Sequence, residues 1–166
     1  MQQVMTNAGT NTSKGQSRTL PYVGDIATEM YLTLTVGDQL CGVPVLAVRD
    51  VLGHHSITRI PLAPPEIAGS LNLRGRIVTA IDLRCRLGLP PRQDGAKAMS
   101  VVVERDGELY SLLTDAVGEV LSLPLNERAA NPPTLDALWQ DVTTGVHRLG
   151  ERLLVLLNVE RVLAIG

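Results

Sequence analysis

Residues 75–87 read GRIVTAIDLRCRL, and residues 151–163 read ERLLVLLNVERVL. Laid over each other, Arg76 falls on Arg152, Ile77 on Leu153, Ile81 on Leu157, Asp82 on Asn158 and Leu87 on Leu163. Each run predicts an apolar strand of about five residues. Each strand then meets Asp82 or Asn158, side chains suited to a helix N-cap, and a short helical turn follows. Gly88 is placed to end the first turn, with Pro90-Pro91 preventing continuation. A strand–cap–turn unit that occurs twice makes the repeat the key to the fold.

Working outward, the repeat lengthens. YLTLTV, residues 31–36, puts Leu32, Leu34 and Val36 on one face and reads as a half-exposed strand. Gly37-Asp38 links it to QLCGVPV, a hairpin signal. VVVER, residues 101–105, reaches ELYSLL through Asp106-Gly107, the better type I′ turn. Beyond the hairpins, LAVRDVL (46–52) matches DAVGEVL (115–121) at a constant offset. Ala47 pairs with Ala116, Val48 with Val117, Asp50 with Glu119, Val51 with Val120 and Leu52 with Leu121. The chain thus reads as two copies of one all-β unit with a few short helices, over approximately 28–91 and 98–164. Units this small are expected to pack together as one body. Residues 92–98 join them, and residues 123–141 are irregular and Pro-rich, with a short helix expected around Leu135–Gln140. In the first half, Pro65 is expected to start a short helix ending at Gly69. Residues 1–27, rich in Asn, Thr, Ser, Gly and Gln, read as a disordered tail ahead of a domain at 28–166.

Composition excludes several classes. Hydrophobic residues make up 45% of the 166, but aromatics only 2%, with no Phe. The core is therefore aliphatic, and stacking platforms for single-stranded nucleic acid are lacking. A formal charge of -2 argues against a polyanion binder. No apolar run has the length of a membrane span, and the N-terminus lacks the apolar centre of a signal peptide. These features point to a cytoplasmic protein without membrane insertion. Cys41 and Cys85 form no CxxC pair, and both suit reduced, buried thiols.

Catalytic signatures are sparse. His54, His55 and His147 lack metal-ligand spacing and read as solvated loop residues. Asp50 and Glu119 hold matching places in different units and are not set to converge on a proton. No phosphate loop, dinucleotide fingerprint or nucleophile elbow is present. There is no reason here to expect an enzyme, a metal or a cofactor.

The unexplained feature is charge. Arg74, Arg76, Arg84, Arg86 and Arg92 stand against Asp82 alone between residues 69 and 92, a local +4 in a chain of net -2. In NLRGR, Gly75 permits a tight corner with Arg74 at its tip. Arginine suits an interface because it forks to carboxylates and keeps its charge. Arg84 and Arg86 are expected to complement the C-terminal end of the helix they lie on.

These motifs resemble the CheW-like family of bacterial chemotaxis coupling proteins over roughly residues 28 to 164. The resemblance rests on Gly69, Asn72, Leu73, Arg74 and Gly75, then Ile77, Val78, Ile81, Asp82, Leu83 and Arg84. TRIPLAPPEIAG upstream, and LLTDAVGEVLSLP and ERLLVLLNVERVL downstream, add to it. It implies two packed five-stranded SH3-like β-barrels, with room for strand exchange between the halves. It also implies a non-catalytic adaptor that binds the cytoplasmic tip of a chemoreceptor and the regulatory domain of the histidine kinase CheA, recruited to receptor arrays and monomeric when isolated. Arg74 is the implied receptor contact. Val48, Gly69, Gly75 and Met99 fall at coupling positions, and Asn72 and Asp50 lie beside them.

The chain departs from the family pattern at Thr79-Ala80, at Cys41, where an aromatic is common, and at Ala116, where glycine is common. Three alternatives stay open at this stage. They are an adaptor of a non-flagellar chemosensory pathway, a β-barrel module outside chemosensory signalling, and a small enzyme or metal protein using Cys41, His54 or His55.

Overall fold

The computed structural model describes residues 22–23, 26–93 and 96–165. Strands β1 (Tyr22–Val23), β2 (Ile26–Val36), β3 (Gln39–Pro44), β4 (Val48–Leu52), β5 (Ile67–Leu73) and β6 (Arg76–Asp82) lead to helix α1 (Leu83–Arg86). Strands β7 (Met99–Arg105), β8 (Glu108–Thr114) and β9 (Ala116–Pro124) follow. Helix α2 (Ala137–Val142), β10 (Thr143–Leu149), β11 (Arg152–Leu157) and α3 (Val159–Leu163) complete the chain. Most of the tail expected at 1–27 lies outside the described residues. Its last part does not, because Tyr22 and Val23 pair with Ala27 and Ile26.

The strands sort into two sheets that do not follow the repeat boundary. The first runs β9-β2-β3-β11-β10, with β1 added to β2. The second runs β4-β7-β8-β6-β5. Each sheet therefore combines the opening hairpin of one repeat with the last three strands of the other. The joints are equivalent: β3 lies parallel to β11, and β8 lies parallel to β6. The two-barrel expectation holds as an SH3-like fold, but among the described residues no ladder closes either sheet. The outer edge of β5 is met by Thr58 and that of β10 by Ala129, each through an isolated bridge.

Local chemistry explains the element ends. Asp82 Oδ1 accepts from Arg84 N–H at 3.0 Å, and Asn158 Oδ1 from Arg161 N–H at 3.1 Å, so both caps form as read. At the end of α1, Leu89 N–H reaches Arg84 C=O and Gly88 N–H reaches Cys85 C=O. That bond pair, with Gly88 at φ 75°, is a Schellman motif. Asp106 and Gly107 take φ 52° and 82°, as a type I′ turn requires. The helix expected after Pro65 does not form. A turn closes there through Ile67 N–H to Pro64 C=O, and β5 begins at once, carrying Gly69 as a strand residue.

The core runs between the sheets. Leu32, Leu34, Val36, Cys41 and Val43 from the first meet Ile81, Val101, Val103 and Leu112 from the second in one buried cluster. Smaller clusters lie on the opposite face of each sheet, around Leu71, Val78 and Val102 and around Tyr31, Leu154 and Leu156, which alternate with the common-core residues along the strands. The buried hydrophobic residues are aliphatic apart from Tyr31, Cys41 and Trp139.

Candidate functional site

The hairpin β5–β6 turns on Arg74 and Gly75, with φ 51° and 84°. Gly75 takes this left-handed conformation freely, whereas Arg74 does so against the usual steric preference. Asn72 steadies the turn, its Oδ1 accepting from Gly75 N–H at 3.0 Å. The outcome is an arginine held at a corner and largely open to water. Its Nη1 lies 3.1 Å from Asp50 Oδ2, with side-chain exposures of 74% and 30%. An ion pair this exposed contributes only about 0.2–1 kcal/mol. Its significance is positional: Asp50 sits on β4 and Arg74 follows β5, the two ends of the second sheet's strand order. An ion pair bridges the gap that no ladder closes.

A β-bulge sets Asp50 in place. Val48 lies opposite Val103 and Asp50 opposite Val102, so Arg49 is the extra residue. Arg49 turns to Glu104 at 3.2 Å. A second bulge, at Ile67/Gly69, shifts the β5–β6 register. Gly69 has φ 150°, and a Cβ there would run into the Thr58 carbonyl oxygen. Glycine at 69 is thus required by the close passage of the 57–58 segment.

The structure brings Asn72, Arg74, Gly75 and Asp50 together, with Val48 one bulge away. Gly69 serves the β5 edge. Met99 opens β7 opposite Thr114, at the other end of the strand from Val103, the partner of Val48. Two neighbours at the corner are not among the candidate contact residues. Ile77, opposite Asn72, is 69% exposed, and Arg76 donates to Gly107 C=O at 3.1 Å. The period-2 pattern marks Ile77 as a strand residue without telling which face meets water.

The other arginines are not part of this corner. Arg86 is buried and donates to the carbonyls of Val162 and Arg161 at 3.0 and 2.9 Å. It completes the end of α3, not of its own helix as expected, because the two helices pack across the repeat. Arg84 and Arg92 converge on Asp115. Arg84 Nε lies 3.0 and 3.1 Å from the two carboxylate oxygens, and Arg92 Nε lies 2.8 Å from one. Gly37 N–H donates to the same carboxylate at 2.6 Å. Arg92 also reaches Asp82 at 3.4 Å. Partial burial works to raise the Asp115 carboxyl. The donors Arg84, Gly37 and Arg92 overcome that and hold it below the ordinary range.

The residues considered for catalysis are dispersed. Cys41 is fully buried in β3, and desolvation pushes its thiol up to about 12, so it offers no accessible thiolate. His54 is exposed, and His55 Nδ1 lies 3.1 Å from Gly53 C=O. His147 is no loop residue: it is buried in β10, and its Nε2 has no partner among the described residues. Among the described residues, no three His, Cys, Asp or Glu side chains are grouped to hold a metal ion.

The chain is thus a small double SH3-like β module with a charged, outward corner. A family model described as the CheW-like domain matches residues 30–165. The chain is 30% identical over 141 residues to the chemotaxis protein CheW of Klebsiella aerogenes, covering 85% of each chain. It is 28% identical to a probable chemotaxis protein CheW of Rhizobium etli, over 78% of this chain and 83% of that one. The crystal structure of the scaffolding protein TtCheW from Thermoanaerobacter tengcongensis superposes with a TM-score of 0.74 at 27% identity, covering 84% of this chain and 94% of that one. The chain belongs to the CheW-like family.

Proposed function

We propose that this protein is a non-catalytic scaffold that joins the cytoplasmic tip of a chemoreceptor to the regulatory domain of the histidine kinase CheA. The observation that carries the reading is Arg74: exposed, fixed at a left-handed turn and backed by Asp50. A guanidinium so held gives up little freedom on meeting a carboxylate of a partner. The chemotaxis relatives and the scaffolding neighbour support it. Asn72 and Gly75 shape the corner, and Val48, Asp50, Gly69 and Met99 extend the proposed contact region along the second sheet. Among the described residues no helix is long and apolar enough to cross a membrane. The proposed scaffold acts from the cytoplasm as a monomer recruited to receptor arrays, without cofactor.

The test is calorimetry of the purified chain against the isolated CheA regulatory domain and against a soluble receptor-tip fragment. Saturable binding to both is expected. Arg74→Ala should weaken the receptor arm about tenfold or more, the worth of one charge-assisted hydrogen bond, and leave the kinase arm within about twofold. Binding to neither partner, or an Arg74→Ala variant that binds the receptor as wild type does, would sink the proposal.

A further inference from the structure

The Asp115 cluster lies where the chain leaves the second sheet at Thr114 and enters the first at Ala116. Its donors come from every side of that passage. Gly37 belongs to the β2–β3 turn of the first sheet, Arg84 to α1 after β6 of the second, and Arg92 to the linker between the repeats. Asp115 N–H also donates to Thr35 C=O at 3.0 Å. The four charged side chains, Asp82, Arg84, Arg92 and Asp115, are largely shielded, with side-chain exposures between 14% and 25%.

The repeat supplies an internal control. At the offset pairing Ala47 with Ala116, Asp115 corresponds to Leu46; at the offset pairing Asp82 with Asn158, Arg84 corresponds to Glu160. The second junction therefore has no such clamp. Leu46 is 83% exposed, and a pocket lined by Pro44, Ala47, Glu104, Asn158 and Glu160 opens there. Yet Ala47, Val48 and Val159 pack on the common core all the same. The ion pair found here is exposed and lies within the second sheet: Arg49, paired with Glu104 at 3.2 Å, also donates to Leu46 C=O at 3.1 Å, so among the described residues no shielded charge joins the two sheets at this junction. Shielding four charges costs desolvation that their pairing recovers only in good geometry, so bulk stability is a weak reason for the clamp.

We infer that Asp115 is a positioning residue, whose clamp fixes the two sheets to each other at one junction and leaves the other free to adjust. On the scaffold reading, which this inference rests on, the contact region around Arg74 lies on the second sheet, and the clamp ties that sheet to the first, so strain set up by one partner at the second sheet reaches the second partner through the junction. Removing it uncouples the two binding events without removing either.

The experiment measures affinity for the CheA regulatory domain with and without saturating receptor-tip fragment, for wild type, Asp115→Asn, Arg92→Gln and Leu46→Ala. Wild type should show at least about a fivefold effect of one partner on the other. Asp115→Asn should bind each partner alone within about twofold of wild type, with the mutual effect reduced to about one. Arg92→Gln should give a partial loss, and it serves alone if Asp115→Asn does not fold. Leu46→Ala, at the matching junction, should keep the wild-type effect. The inference is overturned if the clamp variants retain full coupling, if they lose each separate affinity in proportion, or if wild type binds both partners independently. Wild type that binds neither partner removes the scaffold reading itself, a distinguishable failure.

Discussion

At the residue scale, His147 and Cys41 show burial acting on titratable groups. In the sequence Cys41 reads as a buried thiol and it is one, whereas His147 reads as a solvated loop residue and is buried. Both sit on strands facing apolar neighbours. His147 lies beside the Tyr31 ring, centroid to centroid 6.4 Å. Desolvation pulls its pKa below 6.5; Glu127 opposes that shift and Arg128 adds to it. In the unfolded chain the imidazole takes up its proton first. The stability this neutral histidine permits is therefore present above about pH 6.5 and is lost as pH falls from there toward its lower folded pKa. Urea unfolding at pH 7.5 and 5.5 should show a lower midpoint at pH 5.5. His147→Gln, which does not titrate, should flatten that difference, and an unchanged difference would rule His147 out as its source. Nothing in the sequence signals this burial, because TTGVHRL lacks a plain alternation and its histidine looks like any loop histidine. The Arg74 corner was legible, since a turn needs only adjacent residues. The Asp115 cluster was not, because its donors lie 23, 31 and 78 residues away along the chain.

At the element scale, features closed within a few residues were readable. The two caps, the type I′ turn and the Gly88 helix end each depend on neighbours in sequence. Asn158→Ala should cost about 1 kcal/mol, the usual loss for an N-cap. Asp82→Ala should cost more, because Asp82 also receives Arg92. Chemical denaturation with both variants and their double mutant checks the order, and equal losses would show that the Arg92 contact contributes nothing. The helix expected after Pro65 failed for a tertiary reason. Ser70, just past the expected helix end at Gly69, exchanges both backbone hydrogen bonds with Thr58, at 2.8 Å each, and the strand so held already begins at Ile67, inside the expected helix. A helix propensity of two residues cannot compete with a sheet edge.

At the scale of the whole molecule, the repeat was visible but its partition was not. Hydrophobic alternation tells which face of a strand is buried and not which strand lies beside it. The exchange places β2–β3 with β9, β10 and β11, and β7–β8 with β4, β5 and β6. Neither repeat alone can then build a complete sheet. Fragments 1–93 and 96–166 are expected to be unfolded separately by circular dichroism, and to recover sheet structure when mixed. A fragment that melts cooperatively by itself would contradict this. The same exchange accompanies one core cluster that joins both sheets, so the two copies share a common core despite the internal duplication.

The exchange also sets a timetable for synthesis. The second sheet has all its strands once residue 114 has been made. The first sheet does not: Gln39, at the start of β3, waits for Leu153, 114 residues later, whose carbonyl accepts its side-chain N–H. At about 5–20 residues per second, the earliest hairpin stands without its parallel neighbour for about 6–23 s. During that interval Leu34, Val36, Cys41 and Val43, which end fully covered, face the cell's interior on an unfinished ribbon. The opening hairpin of the first sheet is thus made early and completed last, and until then its unpaired edge is open to pairing with another strand.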